Sequence, residues 1–496
     1  MKRTGIYVIM LLGLLVAGCR DIDPVEPLAA PMLVSTDPAD GSTELDAKPL
    51  TVTLTFNQSV KCLTSDHSKV SLDGGAVIDK IYFDQKDLMT DISGLEKGKT
   101  YILTFPKGTI QGLGQNQSPV DEIRLSFSTK YTDESSYVLE PEVVLVNPKA
   151  SKEARNVYNF LLKQSGKKTL SGVQSSHSHK NDFIDAVYNH TGKHPALAGY
   201  DFLFLQFSPT PEGWSWIQNY NDISAPKEQW AANGLVNYMW HWNVPNSKAD
   251  WDNGVNNYNF DGYAFYSDQT SFDIREALKP GTWQNDFIMK DIEEVAGYLQ
   301  LLENENIPVI WRPLHEAAGN YGLYEGGGSG AWFWWGRYGA EPCKQLWRLL
   351  YDQLVNVHGL DNLIWVWTVD VVPTIPYAQE RNLDWYPGDE YVDILGVDIY
   401  ETNTDAKTRQ YQALVDLTKG KKLVTVSECG NIPDPSKCMD AGNRWSWFMV
   451  WPTADDNGSV LLNSPDQNFK LNTLDYWKKV MGNQYVITRE AMPSLK

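Results

Sequence analysis

Between residues 145 and 485 short apolar runs recur, most of them followed by a stretch of helical periodicity. Few folds accept that pattern. The runs are Leu170–Gln174, Ala196–Tyr200, Leu235–His241, Ile307–Leu314, Leu363–Thr368, Ile394–Tyr400, Leu423–Glu428 and Trp447–Trp451. Segments this continuously apolar read as strands covered on both faces. Asp286–Asn304 places Phe287, Ile288, Ile292, Val295, Tyr298, Leu299 and Leu302 near helical spacing, and Glu341–Val357 carries Pro342 in its first turn. Alternating strand and helix implies a parallel sheet. Eight repeats favour a closed (β/α)8 TIM barrel over a doubly wound sheet, and no G-x-G-x-x-G or P-loop segment supports the alternative.

In a TIM barrel the carboxyl ends of the strands carry the chemistry. Two ends stand out. Ile307-Pro308-Val309-Ile310-Trp311 turns abruptly into Arg312-Pro313-Leu314-His315-Glu316, and Leu423-Val424-Thr425-Val426-Ser427 ends in Glu428. Strands four and seven face each other across a barrel mouth, so Glu316 and Glu428 form a candidate pair. Two opposed carboxylates, one protonated and one ionised, are the minimum apparatus of a glycosidase. Barrel position also puts Arg312 and Tyr400 within reach of Glu428 as donors that would keep it ionised.

The charge balance narrows the partners. Acidic residues number 62 against 43 basic ones, a formal charge of −19, which argues against nucleic acid and anionic membrane surfaces. The 19 Trp and 25 Tyr exceed what a core of this size needs and point to carbohydrate, although a Trp-rich barrel core accounts for several. Long aromatic connections at 202–229 and 243–285 carry Trp214, Trp216, Trp251, Tyr258 and Tyr263, residues suited to walling a cleft.

The rest of the chain reads as export and spacing. Residues 1–18 form a signal with Lys2 and Arg3 ahead of an apolar run too short to span a bilayer. Leu15-Val16-Ala17-Gly18-Cys19 looks like a bacterial lipobox, with lipid expected on Cys19, and Asp21 and Asp23 loosely resemble a surface-export tag. The expectation is an outer-membrane lipoprotein, on the cell surface or the periplasmic face. Residues 19–31 read as a tether, 32–130 as a small all-β sandwich, and 131–144 as a linker. Leu50–Phe56, Tyr101–Phe105 and Ile123–Phe127 alternate as half-buried strands do. The segment Ser35–Gly41 followed by Leu54-Thr55-Phe56 resembles a bacterial Ig-like domain, whose default role is a spacer.

Cys429 and Cys438 are close enough in sequence to bridge the loop after the seventh strand, a pairing that spacing alone does not fix. No C-x-x-C pair or H-E-x-x-H segment occurs, so neither metal nor cofactor is expected. A monomer is the default.

Trp311-Arg312-Pro313-Leu314-His315-Glu316 followed by Trp332-Phe333-Trp334-Trp335-Gly336 resembles glycoside hydrolase family 26, whose best-known members are β-mannanases. So do Trp240-His241-Trp242, Gly396-Val397-Asp398-Ile399-Tyr400 and Ser427-Glu428. The resemblance implies a retaining enzyme with Glu316 as acid/base and Glu428 as nucleophile. It also implies a sugar subsite shaped by His241, His315, Trp332 and Tyr400, with a Trp at the end of strand eight. Trp451 fits that place best, and Trp445 and Trp447 remain open. The substrate implied is β-1,4-mannan, galactomannan or glucomannan. The same machinery on mixed-linkage β-glucan or β-1,3-xylan is the alternative, and a non-catalytic glycan-binding lipoprotein is a third reading. One departure is the Gly-rich insertion between Ala317 and Ala331, which separates Glu316 from the Trp cluster and offers Tyr321 and Tyr324 for a sugar.

Overall fold

The computed structural model describes residues 29–113, 118–130, 137–175, 180–211, 219–255, 258–319, 321, 330–371, 383–451, 453–454, 460–461 and 471–496. The signal, Cys19, Trp214, Trp216 and Tyr324 lie outside the described residues. Two compact units divide the chain, one ending at Thr129 and the other running from Lys130 to Lys496.

The larger unit is a closed parallel barrel. Its strands are β1 (Thr169–Gln174), β2 (Leu197–Asp201), β3 (Leu235–Met239), β4 (Val309–Arg312), β5 (Leu363–Val371), β6 (Ile394–Ile399), β7 (Leu423–Cys429) and β8 (Trp447–Val450). Each pairs with the next, and β1 closes on both β8 and β2. Residues on β1 to β4 and on β6 to β8 are buried along their whole length, because helices cover one face and lumen side chains the other. The clearest helix, Trp283–Asn304, starts a turn earlier than its apolar spacing predicts. Thr282 caps it by accepting the Asn285 N–H at 3.1 Å. The segment 341–357 divides: an α-helix covers Ala340–Tyr351, and a π turn follows over Asp352–Val357.

Much of the aromatic excess is core. Trp240, Trp242, Trp311, Trp334, Trp335, Trp347, Trp365, Trp447 and Trp477 are all fully buried, so these indoles are barrel packing and not sugar platforms. The unit also exceeds the expected span of 145–485 at both ends. The Glu140 and Glu142 N–H groups donate to Gly420 and Lys421 carbonyls at 2.8 and 2.9 Å, and Leu139 is buried in the barrel core. At the other end Val486–Ile487 adds a short parallel strand beside β1, and Met492 is buried.

The smaller unit is a sandwich of two four-stranded sheets. Along Leu50–Phe56 the residues Val52, Leu54 and Phe56 point inward. On the other face Thr51 and Thr55 donate to Asp91 and Asp87, their cross-strand partners, at 2.7 Å each.

Cys429 and Cys438 are not bridged; both are free and buried, as are Cys62 and Cys343. Cys429 Sγ faces the Met449 carbonyl and Cys438 Sγ the Ala406 carbonyl. Burial pushes the thiols up, to about 11 for Cys62 and about 12 for Cys343 and Cys438, so they stay protonated and inert in the folded chain. Alkylating a chain that begins after Cys19, unfolded without reductant, is expected to add four groups by mass, one per free cysteine. An increase of two would show a bridge.

Candidate active site

The site is assembled where β4 and β7 end. Past Arg312 the chain reverses within a few residues, and Leu314 and Glu316 adopt φ of 48° and 51°. Left-handed backbone at non-glycine residues costs on the order of 1–3 kcal/mol each. Neighbouring strands and loops hold it. The Glu316 N–H donates to Thr368 O on β5 at 3.2 Å, and Trp335 Nε1 donates to the His315 carbonyl at 3.0 Å.

On β7 the register slips. Val397 pairs with Val426, but Asp398 pairs with Glu428, so Ser427 is an extra residue. A bulge re-aims the side chains beside it. As a result the adjacent Ser427 and Glu428 both reach the lumen, where a regular strand would send them to opposite faces. Ser427 Oγ donates to Asp398 Oδ1 at 2.7 Å, and Thr368 Oγ1 lies 3.3 Å from Ser427 Oγ. Gly396 leaves the room: a Cβ there would stand 2.5 Å from Ser427 Oγ and 2.8 Å from Thr368 Oγ1.

Arg312 sits at the centre, fully buried. Nη1 donates to Asp398 Oδ2 at 3.0 Å, and Nη2 donates to Glu428 Oε1. Tyr400 donates its hydroxyl to Glu428 Oε2 at 2.7 Å. Glu428 is therefore held at both oxygens as an acceptor. Glu316 has the opposite environment. Burial, then the Asp398, Glu428 and Asp370 carboxylates, push its carboxyl well above the usual range, with Arg312 opposing. Burial and Glu428 also push Asp398 up, against the pull of Arg312 and Ser427. One carboxylate oxygen from each of Glu316, Asp398 and Glu428 lies within 4.8 Å of the others.

Around this cluster stands an aromatic and imidazole wall. The His241 ring lies 4.7 Å from His315, 4.9 Å from Phe265 and 5.8 Å from Trp451. Burial, His241 and Arg312 pull His315 well below its ordinary range, so it is neutral. Trp451 is anchored by its backbone N–H, which donates to the Cys429 carbonyl at 3.1 Å. Trp445 and Trp447 are core instead. Trp332 is half-buried against Gly319, where a Cβ would come 2.2 Å from the ring; among the described residues its Nε1 and His315 Nδ1 have no hydrogen-bond partner. The segment bearing Phe265 and Tyr266 is stitched to the Trp cluster: Ser267 N donates to Trp332 O at 2.7 Å and Trp334 N to Phe265 O at 3.1 Å.

The structure thus gathers Glu316, Glu428, Arg312, Tyr400, His241, His315 and Trp451 into one mouth, with Trp332 joined to its wall through Gly319. Other aromatic candidates go elsewhere. Tyr263 is buried with its ring 5.0 Å from Phe207, Trp251 packs 5.4 Å from Phe287, and Tyr321 stands edge-on to Trp385 at 5.3 Å. Sequence reasoning missed Asp201, Asp398, Asp370, Phe265, Tyr266 and Phe333. Asp398 was within reach, since it lies two residues before Tyr400 and shares its face of β6. Asp201 closes β2 as a carboxylate at a strand end, the same signal that marked Glu428.

A TIM barrel with two unlike carboxylates at opposed strand ends has the architecture of a glycoside hydrolase. Residues 146–470 match the model of glycosyl hydrolase family 26 and residues 28–129 that of a bacterial Ig-like domain. The chain belongs to glycosyl hydrolase family 26. It is 35% identical over 350 residues to a mannan endo-1,4-β-mannosidase of Thermothelomyces thermophilus, covering 69% of this chain and 62% of that protein. A mannan endo-1,4-β-mannosidase A of Piromyces sp is 34% identical over 314 residues, 62% of this chain and 45% of that one. The chain therefore spans about half to three-fifths of the length of these relatives. Among solved structures, the family 26 domain of an endo-β-mannanase/endo-β-glucanase from Prevotella bryantii aligns at a TM-score of 0.59 and 35% identity, covering 71% of this chain and 99% of that one. A β-mannanase from a symbiotic protist of the termite Reticulitermes speratus, complexed with gluco-manno-oligosaccharide, aligns at 0.57 and 32%, covering 72% and 99%.

Arg312→Met leaves two buried carboxylates without their cation. Stability is expected to fall by about 3–5 kcal/mol at neutral pH. The deficit should shrink as pH falls, because Asp398, which burial and Glu428 already push up, then takes up a proton instead. Thermal denaturation across pH measures both, and an unchanged midpoint at pH 7 would contradict the arrangement.

Proposed function

We propose that this chain is a retaining glycoside hydrolase that cleaves β-1,4-mannosidic bonds in mannan, galactomannan or glucomannan. The observation that carries the mechanism is the close pair of carboxylates, one in the turn after β4 and one on β7, with opposite surroundings. One oxygen of each within 4.8 Å supports the close separation of about 5–5.5 Å between carboxyl groups that double displacement uses. The substrate assignment is supported by relatives named mannan endo-1,4-β-mannosidases and by the gluco-manno-oligosaccharide bound to a similar structure.

Glu428 attacks the anomeric carbon while Glu316 gives its proton to the departing glycosidic oxygen. Arg312 and Tyr400 hold Glu428 on line for that attack. Once the ester bond forms, Glu428 no longer carries a charge. One of the carboxylates that raise Glu316 is then gone, so its affinity for a proton drops. Glu316 becomes the base that activates water, and hydrolysis of the ester restores both groups. His241, His315, Trp332 and Trp451 shape the subsite at the point of cleavage.

The test is release of reducing ends from unsubstituted mannan, glucomannan, mixed-linkage glucan and β-1,3-xylan. Mannan and glucomannan cleavage is expected, and Glu428→Ala should abolish it. Glu316→Gln should lose roughly 10²–10⁴-fold on mannan and far less on an aryl mannoside whose leaving group needs no proton. The wild-type rate should fall as pH rises through the raised Glu316 value, and Glu316→Gln should lack that limb. Equal losses on both substrates would remove Glu316 from the acid role.

We further propose that Cys19 carries a lipid that holds the chain at the outer membrane, a reading supported by the residues of 15–19 alone. Cells fed a labelled fatty acid should transfer label to the wild type and not to Cys19→Ser. Label on both, or on neither, would refute it.

A further inference from the structure

His241 is tied to a buried carboxylate that the proposed chemistry does not use. Asp201 ends β2, and its side chain is 1% exposed. Oδ1 accepts the backbone N–H of His241 at 2.9 Å, and Oδ2 lies 2.6 Å from His241 Nδ1. A carboxylate accepts and cannot donate, so Nδ1 carries the proton. Nε2, across the ring, is the remaining polar atom. The ring itself is wedged among His315, Phe265, Phe333 and Trp451 at 4.7–5.8 Å. Of these only His315 is ionisable, and it is neutral. Three aromatic walls and a backbone-anchored carboxylate leave the imidazole no freedom to turn over.

We propose that Asp201 is a positioning residue that fixes His241 as the Nδ1–H tautomer and so presents Nε2 as a hydrogen-bond acceptor to a hydroxyl of the sugar held between Glu316 and Glu428. The inference rests on the proposed glycosidase reading for its effect on rate, though not for its effect on the ring. The physical need is specific. A histidine without a fixed partner exchanges its proton between the two nitrogens, and the other tautomer offers the sugar a donor in place of that acceptor. Replacing the carboxylate by an amide is the sharpest probe. Asparagine keeps the shape, but its NH₂ can donate to Nδ1 and drive the proton to Nε2; the amide in place of the triad aspartate of serine proteases acts in this way.

The full chain is labelled with ¹⁵N-histidine, and the His241 resonances are assigned by their loss in His241→Gln. The wild type is expected to show a protonated Nδ1 and a bare Nε2, and Asp201→Asn the reverse. On mannan, Asp201→Asn should lower kcat/KM by roughly 10–100-fold, the usual effect of removing such an orienting partner. In a His241→Ala background the same change should add less than about twofold, because the partner it orients is gone. Asp201→Glu, which keeps an acceptor, should recover the wild-type tautomer. An Nε2–H tautomer in the wild type, or no change of tautomer in Asp201→Asn, overturns the proposal. So does an undiminished Asp201→Asn loss in the His241→Ala background, which marks Asp201 as only structural. A chain inert on every glycan but showing the expected tautomers would refute the glycosidase reading while leaving the Asp201–His241 pairing intact.

Discussion

A single guanidinium, buried between two carboxylates, is the interaction on which the site depends. Arg312 bridges Asp398 on β6 and Glu428 on β7 from its own place on β4. Moving such a charge out of water costs several kcal/mol, and close opposite charges offset that cost only where the geometry is good. The barrel supplies the geometry. Gly396 clears space, Ser427 and Thr368 complete the shell around Asp398, and Tyr400 takes the remaining Glu428 oxygen. The same cation moderates a cluster that would otherwise hold three mutually repelling carboxylates. Glu316 makes no pair of its own with that cation, and burial together with the neighbouring carboxylates raises its affinity for a proton against the opposing pull of Arg312.

The site is also built under backbone strain. Leu314 and Glu316 both occupy the left-handed region, which few side chains enter without support. Support comes from β5 through Thr368 and from the Trp cluster through Trp335. The aromatic segment after the insertion therefore acts as scaffold more than as sugar platform: Trp334 and Trp335 face inward, and only Trp332 stays partly open. Rigid placement of Glu316 has to be enforced from outside its own strand, since the local chain prefers another shape.

How far the sequence revealed this depends on the length scale of each cause. The barrel was legible because its strands are continuously apolar, and strand ends marked Glu316 and Glu428. Arg312 and Tyr400 followed from barrel position. The sandwich strands were legible through alternation. What stayed hidden was contact between distant segments. Nothing local distinguishes Trp334 from Trp332, yet one is core and the other lines a wall. Tyr263 and Trp251 turn inward because rings from other loops, Phe207 and Phe287, meet them. The free state of Cys429 and Cys438 likewise follows from where each sulfur points, which a spacing of residues cannot report. The slip on β7 was invisible too, because a bulge leaves no mark in an apolar run.

That slip has a consequence for anyone transplanting this chemistry. An idealised barrel strand, regular in pleat, presents alternate residues to the lumen, and would show either Ser427 or Glu428 but never both. A designer copying the two carboxylates and the arginine onto such a scaffold would lose the serine that steadies Asp398, or else turn Glu428 toward the helices. The irregular strand is thus part of the blueprint of the carboxylate cluster. A one-residue deletion in β7 would be read by the fold as a reversal of faces, and alignments that place a gap there would misassign Glu428.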